Sequence, residues 1–539
     1  MILKSLKTNW QSGVTVALVS LPLSISLAVA ADATPTMGVI TAFWAGLLAA
    51  IFGGSNYNIV GPTGALSGIL AAYALIHGVE TLPLLAILAG VCILVAYIFK
   101  LERYIVFIPS SVVHGFTLGV AFIIGLNQLN FALGLSGLAT HEKFIANVFE
   151  SLRHITGADA WTFGFFAVTL AALFAFIKLI PKIPGPIVLA PLGIIVGYFA
   201  TTGELPFKLL TLASRFGDIN PTLGAWPKFS TEFLTTDLFK AVLAVALVAI
   251  LETLISAKIA DAMTKTKFNQ RKEVLGLGLA NLASGFTGGI PATAALARTA
   301  LNIKSGADSK ASAWVSALVV GVIALVFLPY FKYLPLSVVA AILVYVAVRM
   351  VEGEHFIHLY KHDKAAFSMS MLVAVITIIE DPIIGILVGA ALSLLLFVKK
   401  LSEGQAEISV NKNKEMVARL YGSVYELGEI SHGDVVVYRF SGPMTYVNAQ
   451  SHILAISRIN GVTKTIILSF RNISYIDIDG VDAITEIVED LNNRKIKVVL
   501  ASIGEHLMPI VGNASWYADK KSSDAIFEST AAALKVINS

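Results

Sequence analysis

Long apolar runs separated by short polar loops dominate the chain from about residue 13 to residue 398. Runs long enough to cross about 30 Å of hydrocarbon fall near 13–31, 37–53, 83–99, 112–135, 160–180 and 186–202. Six more fall near 238–258, 273–290, 313–330, 334–351, 365–380 and 382–398. Two shorter runs, near 62–77 and 292–303, follow stretches broken by glycine and proline, "GPTGALSG" and "GGIPATAALART". With these as half-helices the chain has about fourteen segments, two sets of seven divided at the polar loop near 203–236. An odd number per set makes the second set enter the membrane from the opposite side, as in an inverted repeat. The repeats span about 10–202 and 236–402, within a transmembrane domain over 1–402.

After Lys400 the period changes. Runs rich in β-branched residues ("DVVVYRF", "TKTIILSF", "KIKVVLAS") alternate with helical ones ("NAQSHILAISRI", "VDAITEIVEDLNN"). That alternation predicts a small α/β domain over 409–539.

Composition makes the membrane assignment firm. Of 539 residues, 56% are hydrophobic and 14% charged, against about 25% charged in soluble domains; mean hydropathy is +0.78. The formal net charge of +4 is too small to imply nucleic-acid binding. A single cysteine, Cys92, lies in an apolar run and excludes an intrachain disulfide. Lys4, Lys7 and an apolar run ending in "AVA" at Ala28–Ala30 imitate a cleavable signal, but Pro22 and the polar "LPLSIS" favour a retained first helix.

Lys and Arg set the orientation. With the N-terminus inside, the cytoplasmic ends carry Lys4, Lys7, Lys100, Arg103, Lys178 and Lys182, then Lys258, Lys265, Lys267, Arg271 and Lys272. Lys304, Lys310, Arg349, Lys361, Lys364, Lys399 and Lys400 follow on the same side. The short outer loops "ADATPT" and "IIEDP" have none, although Lys332 is outside. Both termini and the α/β domain are therefore placed in the cytoplasm, and the chain in the cell (inner) membrane.

The two breaks carry the chemistry. Proline and glycine at membrane depth are tolerated where freed backbone groups face protein or a water-filled cavity. A helix starting at Pro62 or Pro291 has the φ of a first turn, and its first N–H groups lack intrahelical partners. The macrodipole adds roughly half a positive charge at that end. Two such ends meeting at the midplane make an anion site, and Thr63, Gly64, Thr293, Ala294 and Ala295 admit a ligand close to the backbone. Small residues serving only as helix-packing surfaces would not explain the paired prolines.

Glu252, in "LVAILETLISAK", is an ionisable group in an otherwise apolar span, a functional hypothesis by default. Burial favours a neutral carboxyl, and a nearby cation or helix N-terminus a charged one, so Glu252 could carry a proton or bind Na⁺. Ser256, four residues on and on the same face, offers a second oxygen. The structural alternative is a static pair between Glu252 and Arg298. Arg298 stands seven residues past Pro291, ~10 Å along that helix, and could draw anions in or close that pair. His355, His358 and His362 share a helical face, as zinc could require, but a membrane-interface helix explains them as well. No Walker loop, nucleophile elbow, HExxH or CxxC is present, so the chain is expected to be no enzyme, with no cofactor and no ATP-driven step in cis.

The segments "LPLSISLAVA", "GPTGALSG", "LETLISAK" and "GGIPATAALARTALNIKSG", in that order and followed by an α/β tail, resemble the SulP family of sulfate permease-like anion transporters, solute carrier family 26. The resemblance implies inverted repeats of seven segments arranged as core and gate, a cytoplasmic STAS domain and a homodimer. It implies an anion held between the third and tenth segments by Thr63, Gly64 and Ala65 on one half-helix and by Ala294, Ala295 and Leu296 on the other, with Arg298 nearby. Glu252 matches the family's acidic residue of the eighth segment. A bicarbonate–Na⁺ branch has Asp there, threonine four residues on and threonine at the position of Leu296; Glu252, Ser256 and Leu296 depart from it, which favours H⁺ as coupling ion. Leu23 stands where many animal members have glutamine.

"SYIDIDGVDAI" is similar to the STAS loop that carries a phosphorylatable serine in anti-sigma-factor antagonists. Ile478 and Asp479 occupy the hydroxyl-bearing positions here, so phosphorylation at that spot is not expected; the domain is a candidate surface for a cytoplasmic protein partner. The expected activity is secondary transport of a small inorganic or carboxylate anion (sulfate, bicarbonate or dicarboxylate), coupled to H⁺ or Na⁺, by elevator-like movement of core against gate. Alternatives are a Na⁺–bicarbonate symporter, an exchanger, an anion channel, a nucleobase transporter and a membrane-anchored signalling scaffold.

Overall fold

The structure is a computed structural model, and it describes residues 2–103, 109–139, 141, 144–180, 184–227, 235–380, 382–423, 433–459 and 462–539. Lys182 lies outside the described residues. The chain forms two compact units, Met1–Ser393 and Leu394–Ser539.

The first set of membrane helices is α1 (Ile2–Ala30), α2 (Pro35–Phe52), α3 (Gly64–His77), α4 (Leu82–Ile98), α5 (Ser110–Leu126), α6 (Ala160–Leu179) and α7 (Gly185–Thr202). The second begins with α8 (Thr236–Thr264), α9 (Gln270–Phe286), α10 (Leu296–Lys304), α11 (Ala311–Phe327) and α12 (Leu336–Met350). A short helix, α13 (Gly353–His362), then leads to α14 (Lys364–Ile379) and α15 (Pro382–Ser402). Leaving α13 aside, each set among the described residues has seven members, and the third of each is a half-helix.

Local sequence explains where helices begin. Thr34 accepts from the Met37 amide, with Pro35 at the first helical position of α2, a residue whose fixed φ suits that place. Thr235 caps α8 through the Leu238 amide, and Asp159 caps α6 through the Thr162 amide at 2.8 Å. These caps satisfy donors that would otherwise be orphaned at a helix end.

Leu21 and Ile25 of α1, Leu66 and Ile69 of α3, Val120 of α5 and Val245 of α8 belong to one buried apolar cluster. Outward faces stay apolar too: Val168, Leu243, Val322 and Leu325 are exposed, as expected of helices bathed in lipid.

The second unit holds a six-stranded sheet in the order β4-β3-β5-β6-β7-β8. Its strands are β3 (Gln405–Lys412), β4 (Glu415–Ser423), β5 (Val435–Met444), β6 (Thr465–Ile476), β7 (Lys497–Ala501) and β8 (Ile526–Phe527). β3 runs antiparallel to β4 and β5, and β5 through β8 are parallel. Alternate residues of β5 face opposite ways. Val436, Tyr438 and Phe440 join a core with α16 (Ala449–Ser457) and α17 (Ile478–Asn493), while Val435 and Val437 pack beneath the C-terminal helix Thr530–Asn538. Asp477 caps α17, accepting from the Gly480 amide at 2.8 Å and the Tyr446 amide at 3.1 Å. Asp479 lies in the first turn of α17.

Candidate functional site

The two broken stretches meet as a pair of two-residue strands, β1 (Val60–Gly61) and β2 (Thr293–Ala294), antiparallel with Val60 opposite Ala294 and Gly61 opposite Thr293. β1 leads into α3 and β2 into α10, so antiparallel pairing sends the two half-helices in opposite directions. The half-helices do not begin at the prolines. α3 starts at Gly64 with Thr63 as its cap residue, and α10 starts at Leu296 with Ala295 as its cap residue. Arg298 is therefore in the first turn of α10 rather than two turns up it. The reason lies in the backbone: irregular chain at membrane depth must find hydrogen-bond partners inside the protein, and residues 293–295 find them on 59–61 before helix can form.

Side chains complete that accounting. Asn281 donates to the carbonyl of Ala292 at 3.0 Å and accepts from its amide at 2.9 Å. Thr41 accepts from the Ile290 amide at 2.7 Å, and Ser284 donates to its carbonyl at 2.7 Å. The Ala294 amide donates to Oγ1 of Thr253 at 3.1 Å, and the Ala295 amide to the carbonyl of Ile59 at 3.1 Å. The amides of Ala294 and Ala295 are thus engaged in the crossing. The donors without intrahelical partners are those of Gly64, Ala65 and Leu66 on α3 and of Leu296, Ala297 and Arg298 on α10.

Thr63 does not cap its own helix. Its hydroxyl donates to Oε2 of Glu252, on α8, at 3.1 Å. Glu252 is half-buried, as are Ala295 and Leu296, and Ala297 is exposed. Thr63, Gly64 and Ala65 are buried. A Cβ on Gly64 would stand 2.6 Å from Sδ of Met350 and 3.3 Å from Cδ1 of Ile124, so the end of α3 is covered by the last residue of α12 and by α5. On the other side of the crossing Leu296 and Glu252 are half-buried and Ala297 is exposed.

Arg298 is fully buried and turns the other way. Its guanidinium donates to the carbonyl of Pro62 and, at 3.4 Å, to Oγ of Ser24. Among the described residues no ion pair joins it to Glu252. Gly61 is required here, since a Cβ would come within 2.8 Å of the Arg298 guanidinium. Arg298 staples one break to the other through the peptide group beside Pro62.

Ser256 is buried and faces neither Glu252 nor solvent. It donates to Oδ1 of Asn58 at 3.0 Å and lies 3.1 Å from Oγ1 of Thr299. Asn58 donates in turn to Oε1 of Glu273 at 2.7 Å. The buried Glu273 accepts from the amides of Gly54 and Ser55 at 2.6 Å each. Asn58, Glu273, Thr253, Thr299 and Asn281 escape the sequence reading. The signal that marks them is weak: isolated polar residues within or beside apolar segments.

The histidines of α13 do not converge. The His355 ring lies on His114 of α5, centroids 3.8 Å apart, while His358 stacks on His362 at 4.4 Å. Among the described residues no group of three or more His, Cys, Asp or Glu is arranged to hold a metal ion.

Comparison with known proteins identifies the family and the fold. Residues 6–374 match the model of the sulfate permease family, and residues 430–515 that of the STAS domain. YvdB of Bacillus subtilis strain 168, which bears a provisional sulfate-transporter name, is 31% identical over 497 residues, covering 91% of this chain and 90% of its own. The bicarbonate transporter BicA of Picosynechococcus is 27% identical, covering 80% of this chain and 78% of its own. In fold, murine Solute Carrier 26 family member A9, an anion transporter in the inward-facing state, superposes with a TM-score of 0.82 at 15% identity. That superposition covers 98% of this chain and 91% of the murine protein.

Proposed function

The chain belongs to the sulfate permease family, and we propose that it is a secondary transporter of a small anion of the sulfate, bicarbonate or dicarboxylate class, coupled to protons through Glu252. One observation carries the reading: two half-helices start from a shared strand crossing, and the carboxyl of Glu252 accepts from Thr63 at the start of one of them. The anion sits between the partnerless amides at the start of α3, beside Thr63, Gly64 and Ala65, and those of Leu296 and Ala297 on α10. Ala294 and Ala295 shape the space rather than donate, and Arg298 holds Pro62 in place and adds long-range positive potential.

Glu252 changes protonation as the anion enters and leaves its field. Protons are favoured over Na⁺ because Ser256, the second oxygen expected beside Glu252, is directed instead to Asn58 and Thr299. Alternating access follows from movement of the crossing, with its supporting helices, past the helices that cover Gly64 through Met350 and Ile124. The chain works as a homodimer in the cell membrane, with both termini and the STAS domain in the cytoplasm. The distribution of Lys and Arg among its loops supports that orientation.

Proteoliposome uptake of labelled sulfate, bicarbonate and fumarate, under separately imposed H⁺ and Na⁺ gradients, tests the reading. Accumulation of one anion under the proton gradient alone is expected. Accumulation that requires Na⁺ would replace the proton with Na⁺, and uptake of none of the three would reject the substrate class.

A further inference from the structure

The helix α13 joins α12 to α14, and the proposed transport cycle makes no use of it. Its inner edge is anchored. Oε2 of Glu352, just before the helix, lies 3.3 Å from Nδ1 of His114, and the His355 ring rests on the same imidazole. Phe356 meets His355 edge-on, with centroids 6.2 Å apart. The opposite edge is open. Ile357, Tyr360 and Lys361, spaced i, i+3 and i+4, share one helical face; Ile357 is 57% and Tyr360 59% exposed, and Lys361 is exposed as well. The Tyr360 ring continues edge-to-face onto Phe367 of α14, 5.3 Å away, and α14 carries on outward through the exposed Leu372, Val375 and Ile379. The open face of α13 is thus continuous with a lipid-facing surface.

Charge selects the occupant. Two nearby carboxylates are engaged elsewhere: Glu352 faces His114, and Asp363 accepts from the Ala366 amide at 2.9 Å. Lys361 on the helix and Lys364 and Arg349 on its neighbours in the chain are exposed, with Glu354 the remaining acid of this stretch. We propose that α13 lies in the membrane interface as a docking surface for anionic phospholipid, with Ile357 and Tyr360 seated at the level of the upper acyl chains and Lys361 and Lys364 reaching the headgroup phosphates. Aromatic and aliphatic side chains below, with lysines extending their stems toward the headgroups, are what an interfacial helix needs. Each lysine near an anionic surface gives roughly five-fold enrichment of anionic over neutral lipid.

The test uses the full chain in a Cys92→Ser background with a nitroxide at Ile357→Cys, reconstituted in phosphatidylcholine with and without phosphatidylglycerol. The expected result is a label accessible to oxygen, shielded from a polar relaxation agent, and further shielded when phosphatidylglycerol is present. The phosphatidylglycerol effect should disappear in Lys361→Gln/Lys364→Gln. A label as open to the polar agent as one in an exposed loop overturns the proposal. Dipolar broadening between labels of two copies also overturns it, since a second chain then covers the face. A phosphatidylglycerol effect unchanged by the lysine substitutions removes the headgroup contact. Tyr360→Cys, labelled in the same way, reads the same face should Ile357→Cys fail to fold.

Discussion

The hydroxyl of Thr63, at the start of α3, donates to Oε2 of Glu252, in the middle of α8, across 3.1 Å. This contact links the half-helix that would hold an anion to the carboxyl that would hold a proton. A charged Glu252 accepts that hydrogen bond strongly, whereas a protonated one can turn its own O–H toward an incoming anion.

If Glu252 carries the coupling proton, Glu252→Gln keeps the shape and an acceptor for Thr63 but cannot titrate. Anion binding should survive or tighten, since a negative charge near the site is gone. Accumulation driven by an inward proton gradient should be lost, while electroneutral exchange continues. Uptake with and without the gradient, wild type against variant, decides the matter; accumulation in proportion to the gradient would remove Glu252 from the mechanism.

In the proposed site the lack of a side chain at Gly64 is what would let an anion approach the first amides of α3. Gly64→Leu should weaken anion binding by roughly a hundred-fold, about 3 kcal/mol of lost contact and added crowding. Met350, whose Sδ would stand 2.6 Å from a new Cβ, can be trimmed to separate the effects. Gly64→Leu/Met350→Ala should recover monodisperse, folded protein without recovering binding in a calorimetric titration. Normal affinity in the double variant would place the site elsewhere.

Glu273 receives three donors in a buried setting, two backbone amides and Asn58. Glu273→Ala leaves both amides without that acceptor and the side-chain nitrogen of Asn58 with only its bond to the Thr253 carbonyl, and should cost about 3–5 kcal/mol of stability. Glu273→Gln, which still accepts from the amides, should cost about 1–2 kcal/mol. Thermal midpoints of the purified protein rank the variants. A Glu273→Ala midpoint equal to wild type would mean that the loop from Gly53 to Asn58 is held by something else.

In the STAS domain, His452 lies buried with Nδ1 2.8 Å from the Tyr438 hydroxyl, and burial brings its pKa down to about 4. In the unfolded chain the imidazole titrates near ~6.5. Between those values the unfolded chain binds a proton that the folded domain refuses. Stability is therefore fully present above about pH 6.5 and falls with pH toward the folded pKa, by about 3 kcal/mol at pH 4. Hydrogen exchange of β5 amides in the full chain, corrected for intrinsic rates and compared at about pH 7 and about pH 4.5, should show it. His452→Gln, which accepts from Tyr438 but does not titrate there, should flatten the difference; an equally steep dependence in that variant would assign the effect to another group.

The sequence by itself determined the membrane segments, their division into two sets of seven, the two breaks and the change to α/β periodicity after Lys400. These follow from local composition: apolar length, small residues at Gly61 and Gly64, prolines that cannot continue a helix, and a lone acid at Glu252. Tertiary structure decided what each polar group in the breaks does. The segment after Pro291 stays extended as far as Ala295 because its amides and carbonyls find Asn281, Thr253 and residues 59–61. Arg298 turns to Pro62 and Ser24 rather than to Glu252, and Ser256 turns to Asn58 and Thr299. His355 leaves the other histidines of its helix for His114. Away from water every such group must take whichever partner the fold brings near, however distant in the chain. Hydropathy is a property of neighbours in sequence and carries no record of those choices.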